Sequence, residues 1–205
     1  MVLLLTSQPT IINELGYSAA QAQLMTVPPY AIATILTLTV AVLAERTRLR
    51  APFIVGSTAL AAVGYIILLA QHTPGVSYFG TILAAAGIYP SVAIILSWPA
   101  NNVSGQTKRA IANAMQISIG NCGSVLGTQL YRSNTSPRFF LGHGFALGYL
   151  VANVVVVSLQ FLILRRENAR KAREREARGL SALMGDIGEE DDFRGDEDPR
   201  WIFQT

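Results

Sequence analysis

Asn113, Gln116 and Asn121 lie in an uncharged run from Ala110 to Tyr131. At about 1.5 Å per residue, that run is long enough for a helix to cross a hydrocarbon core of about 30 Å. Ser118, Ser124, Thr128 and Gln129 share it, with Gly120, Gly123 and Gly127 between them. Amides in lipid are costly unless they face protein or water. Two kinds of chemistry are open to them. They can hydrogen-bond a polar solute crossing the bilayer, or they can bond a neighbouring helix, a contact worth on average about 0.6 kcal/mol. Asn113 stands one turn before Gln116. Tyr30 and Tyr89, in two other apolar runs, offer ring faces to an aromatic or carboxylate ligand, or fill the bundle as ordinary packing.

Other chemistries lack their residues. Zinc-ligand spacing, a phosphate-binding loop, a nucleophile elbow and a nucleophile–base pair are all missing from the sequence. No enzyme activity and no cofactor are expected. Cys122 is the single cysteine, so no intrachain disulfide can form. His72 and His143 fall at the rims of apolar runs, where a histidine is commonly just solvated. A proton-coupled carrier usually keeps a titratable group at membrane depth. No charged residue falls inside any apolar run here, so a coupling proton would need a group elsewhere.

The elements that position these side chains follow from charge. The chain is 51% hydrophobic and 14% charged, against about 25% charged in a soluble domain. From Val2 to Leu164 the charged residues are Glu14, Glu45, Arg46, Arg48, Arg50, Lys108, Arg109, Arg132 and Arg138. Five spans are predicted, over residues 19–44, 52–70, 76–100, 110–131 and 144–164. The fold class is an all-α membrane protein, and the basic residues are topology signals, not a nucleic-acid surface. Residues 1–12 lack a basic n-region and have too short an apolar run for a signal peptide. They read as the tail of a helix that begins upstream. Gly87, Tyr89 and Pro90 suggest a bend in the third span. Gly123 and Gly127 form a GxxxG, which suggests a close helix crossing.

With five spans the loops alternate sides. One side receives Glu45 to Arg50, then Lys108-Arg109 and the tail from Arg165. It collects fourteen of the sixteen Lys and Arg residues, which makes it cytoplasmic by the positive-inside rule. Glu45, Arg46, Arg48, Arg50, Lys108 and Arg109 set topology, and they can also hold a gate at helix C-terminal ends. The sequon at Asn102 would then face the cytoplasm and stay silent. The one at Asn134 sits in a short loop before Pro137 and is expected to carry little or no glycan.

Residues 165–205 form a tail. Arg165 to Gly179 reads as a helix continuing past the membrane, with Glu167–Lys171 and Glu174–Arg178 in the favourable i,i+4 order. Its basic excess suits anionic headgroups. Asp186 to Asp198 is acidic enough to be unstructured. Pro199 to Thr205, with Trp201, Ile202 and Phe203, reads as a motif that docks on the cytoplasmic face.

Several long stretches carry a family resemblance: PTIINELGYSAAQAQLMTVPPYA, ERTRLRAPFIVG, AAAGIYPSVAIILSWPANN, GQTKRAIANAMQISIGN, LGHGFALGYL and LRRENARK. In this order they resemble the C-terminal half of fungal major facilitator superfamily transporters. The resemblance is to the anion:cation symporter family, with its allantoate permeases and nicotinic acid transporters. It implies that residues 1–12 are the outer end of helix seven, truncated here, and that the five spans are helices eight to twelve. It implies a multi-pass protein of the plasma membrane with a cytoplasmic C-terminus. It also implies alternating access around a midplane site, with a small organic anion as substrate and possible proton coupling. The rival expectation is a non-transporting membrane fragment that scaffolds or regulates a full-length carrier. A membrane-bound enzyme would need buried histidine or carboxylate clusters, which the spans do not contain.

Overall fold

A computed structural model describes residues 19–70, 73–130, 140–178 and 195–205. Regular structure among them is helical: α1 Ala19–Leu24, α2 Val27–Thr47, α3 Ala51–Ala70, α4 Pro74–Asn102, α5 Gln106–Leu130 and α6 Phe140–Arg178. A single 3-10 turn follows at Gly195–Glu197.

The first predicted span, 19–44, is broken near its start. Pro28 and Pro29 occupy the opening turn of α2, where a missing N–H costs nothing because the first helical amides have no partner anyway. The chain therefore turns at Met25–Thr26, and α2 runs on to Thr47, three residues past the expected end. Arg48 closes it at φ 55°, in the left-handed region. Pro90 and Pro99 both lie inside α4, which is assigned as helix throughout its 29 residues.

α4 is the central helix. It packs on α2, α3 and α5, while α6 lies against α3. The α3–α4 crossing is made by small residues, Ser57, Ala61 and Gly64 on one helix and Gly80, Ala84 and Gly87 on the other. A methyl group on Gly64 would stand 2.5 Å from the backbone nitrogen of Ala84, and one on Gly87 would meet the backbone of Ser57 and Ala61. No side chain fits there, so the two backbones touch. This is the close crossing in the described bundle. Gly123, half of the expected GxxxG, faces open space.

The core has two parts. One joins Ala44, Ala51, Ile54, Ile94, Trp98, Val157 and Leu164, with Phe161 and Phe203 against it. The other joins Ala33, Tyr65, Ala84, Ala85 and Ala146. Apolar side chains also cover the outside: Ile35, Leu38, Val155, Val156 and Ile163 are all more than half exposed. Four described helices are long and apolar enough to cross a membrane: α2, α3, α4 and α6. α5 has the length, at 25 residues, but its amides lower its apolarity. At 39 residues, α6 measures about 58 Å, so its second half extends well beyond a bilayer core.

Glu45, Arg50, Lys108 and the tail meet at one end of this bundle. The charge pattern of the sequence thus has a counterpart in space. That end is called the basic end below.

Candidate functional site

Tyr30 on α2 meets Tyr89 on α4 edge to face, with ring centroids 5.8 Å apart and planes at 82°. Beside them opens a cleft of 190 Å³ lined by Tyr30, Ala33, Thr34, Thr37, Leu38 and Tyr89. The hydroxyls of Thr34 and Thr37 donate to the carbonyls of Tyr30 and Ala33, at 2.8 and 2.7 Å. Back-bonding of this kind occupies a threonine with its own helix. The cleft therefore offers ring faces and methyl groups, and the Tyr89 hydroxyl is itself buried. It is smaller than the roughly 300–1,000 Å³ typical of a whole ligand pocket, and it is open on one side, which suits one wall of a larger site.

Gln116 is held for a local reason. Pro99 has no N–H, so the carbonyl four residues before it, Ile95, loses its helical partner. The side-chain nitrogen of Gln116 donates to that carbonyl at 3.0 Å, across the α4–α5 contact. The other half of the same amide, Gln116 Oε1, is buried with no hydrogen-bond partner among the described residues, and so is Asn113 Oδ1. Asn121 is exposed on α5. The expected path residues thus form two groups: the tyrosines between α2 and α4, and the amides on α5 beside α4. Gln116 and Asn113 each keep a buried acceptor with no partner among the described residues.

A polar cluster not singled out in the sequence lies deeper. Thr58 on α3 and Ser91 on α4 share a hydrogen bond at 3.1 Å, and Thr58 reaches Asn153 on α6 at 3.4 Å. Both hydroxyl residues are buried. Three separate helices each contribute one member, so no spacing in the sequence could have joined them.

At the basic end the six expected gate residues divide. Arg50 is 5% exposed. Its guanidinium donates to Glu45 at 2.8 Å, to Gln204 Oε1 at 2.7 Å and to the hydroxyl of Ser97. Burial lowers its pKa and the Glu45 carboxylate works against that effect. Lys108 pairs with Asp196 at 3.1 Å. Arg109 reaches the carbonyl of Val103 at 3.5 Å, and Arg46 and Arg48 are exposed.

The segment 195–205 runs across this end. Asn168 brackets Phe203, accepting from its N–H and donating to its carbonyl, both at 2.9 Å. Asn102 does the same to Gln204, at 2.7 and 3.1 Å. Trp98 Nε1 also donates to the Gln204 carbonyl at 2.8 Å, and the Arg50 N–H donates to the Thr205 carbonyl at 2.6 Å. The Lys171 ammonium stands 4.2 Å from the centre of the Phe203 ring. The expected docking motif thus has a defined seat. Asp196 and Asp198, expected in an unstructured acidic stretch, lie in the ordered turn and its flank. Their charges are matched there by Lys108 and Arg200. Residues 186–194 lie outside the described residues, as do residues 1–18, His72 and Asn134. So does the side chain of His143.

Long apolar helices, an apolar exterior and polar groups bonded inside define an integral, multi-pass membrane protein. The chain belongs to the fungal major facilitator transporters. It is 38% identical over 91% of its length to an uncharacterized transporter of Schizosaccharomyces pombe. It is 34% identical over 89% to the MFS-type transporter cnsO of Penicillium expansum. It is 32% identical over 80% to the high-affinity nicotinic acid transporter of Saccharomyces cerevisiae. The chain spans 37%, 37% and 30% of those relatives, about a third of their length. No family model and no solved structure matches it.

Proposed function

We propose that the chain forms one part of a secondary active transporter of small organic anions, such as vitamin- or ureide-like carboxylates. The observation that carries this reading is the similarity to relatives named as transporters, one of them for nicotinic acid. The tyrosine cleft supports it, because paired ring edges suit a flat aromatic carboxylate. The unmatched acceptors of Gln116 and Asn113 support a hydrated route beside α5. Work is done by alternating access, with this bundle rocking against a partner bundle around a site near the midplane. The basic end faces the cytoplasm, as the positive-inside rule requires, the C-terminus is inside, and the plasma membrane is the residence. Proton coupling, where present, uses a group outside these spans.

The test is uptake of labelled nicotinate and related carboxylates by cells lacking their own carrier. The chain is expressed alone and joined to the upstream spans of its reading frame. Uptake by the extended form is the expected result, and its failure on every organic anion tried would refute the reading. There is a second reading. In it the chain by itself scaffolds or regulates a full-length carrier. Unchanged uptake by such a carrier when the chain is co-expressed would exclude that role.

A further inference from the structure

We infer that the basic end of the bundle is a peptide-binding site that reads the main chain of an extended segment. Residues 195–205 are its resident ligand, and their binding pins the start of α5. The inference is independent of any transported substrate.

The recognition is by backbone. Asn168 and Asn102 each present one acceptor and one donor to a single residue, Phe203 and Gln204. A side-chain amide used in this way imitates a neighbouring β-strand, and it fixes the direction of the bound chain. Two brackets on consecutive residues also fix the register. Phe203 supplies the apolar anchor, packing against the core cluster beneath Lys171. Ile202 points outward and is 37% exposed. The site therefore selects an aromatic residue at one position and tolerates its neighbour.

Pinning follows from where the segment begins. α5 packs more lightly than its neighbours, and Ile111, Met115 and Ile119 on it are more than half exposed. Its first turn is reached through Asp196, which accepts from Lys108 at 3.1 Å and from Ser104 at 3.2 Å. Lys171 on α6 donates to the main-chain carbonyl of the same residue. One aspartate thus ties α5 to α6. The preceding residue must be glycine: Gly195 sits at φ 72°, and a methyl group there would stand 2.5 Å from the Ser104 hydroxyl. A side chain at this position strains the turn and pushes on the residue that holds it.

Amide hydrogen exchange on the full chain in lipid nanodiscs tests the proposal, comparing the unaltered protein with Gly195→Ala and Asn168→Ala. The unaltered chain should protect the Phe203 and Gln204 amides at least tenfold over free-peptide rates. Both variants should lose that protection and speed exchange in residues 106–112 severalfold, with α3 unchanged. Free-peptide rates at Phe203 and Gln204 in the unaltered chain would overturn the proposal. So would protection that survives both substitutions, or a released segment that leaves residues 106–112 unaffected. If Asn168→Ala loosens α3 as well, Gly195→Ala, which removes no contact from a helix, decides the matter by the same readout.

Discussion

Gln116 supplies the hydrogen bond that Pro99 withholds from Ile95. The carbonyl of Ile95 would ordinarily accept from the residue four places on, and that residue is a proline. The side-chain amide of Gln116 donates to it from the next helix. An amide that reads in the sequence as a path residue therefore has a structural duty at one atom and an open acceptor at the other.

Replacing Gln116 with leucine should cost about 1 kcal/mol, between the average membrane hydrogen bond and the cost of an orphaned buried carbonyl. In a Pro99→Ala background the cost should shrink, because the helix then regains its own N–H donor. A double-mutant cycle on thermal unfolding in detergent measures the coupling. Equal costs in the two backgrounds would show that the Ile95 bond contributes nothing.

Glycine substitutions should sort by position. Gly87→Ala places a methyl group against the backbone of Ser57 and Ala61, and should destabilise by about 1–3 kcal/mol as an overpacked contact. Gly120→Ala meets open space and should gain up to about 1 kcal/mol of helix propensity. Melting temperatures of the two variants, compared side by side, check the contrast.

Arg50→Lys should destabilise by about 1–3 kcal/mol despite keeping the charge. Lysine cannot reproduce a fork that serves Glu45, Ser97 and Gln204 together. The same unfolding assay reads it, and full stability in the lysine variant would mean that charge alone matters there.

Acid should loosen the segment 195–205. Burial acts against the charged form of Asp196. Hydrogen bonds from Lys108, from its own backbone and from Ser104 outweigh burial and hold its pKa below the ordinary 3.8. A carboxylate depressed on docking contributes stability that is full above its undocked value. That contribution is lost as pH falls through the docked value. Docking should therefore be steady above about pH 4 and weaken below it. Fluorescence of Trp98 in a Trp201→Phe background follows it, since Trp98 Nε1 is bonded to Gln204. Asp196→Asn should remove the acid transition.

Tyr30→Leu should raise KM for an aromatic carboxylate about fivefold, the loss of roughly one ring contact, with little change in maximal uptake. Tyr89→Phe keeps the edge-to-face ring pair and should change KM less. Uptake kinetics in the extended form separate the two.

The apolar spans were readable from residue order because a helix in lipid must satisfy its own backbone and show lipid an apolar surface. α2, α3, α4 and α6 announce themselves by length and apolarity, while α5 has the length and lacks charge from Ala110 on but carries amides that lower its apolarity. The uneven basic residues likewise identified one end of the bundle, since charge is costly to carry across lipid. The run Trp201-Ile202-Phe203 was legible as a docking motif, because it sets three large apolar residues together after an acidic stretch whose apolar residues, Ile187 and Phe193, stand apart.

Partners were not legible. The sequence marks Gly123 and Gly127 as a crossing, while among the described residues the backbones meet at Gly64 and Gly87 and Gly123 faces open space, because small residues pack closely only where a second helix presents small residues opposite. Asn102 and Asn168 are unremarkable in the sequence and grip consecutive residues of the tail from two different helices. Residue order alone determined which segments are long and apolar enough to cross a membrane and which end is basic, as these follow from transfer of each segment into lipid. Only tertiary structure decided which amide answers which carbonyl, because a hydrogen bond depends on the distance between atoms far apart in the chain.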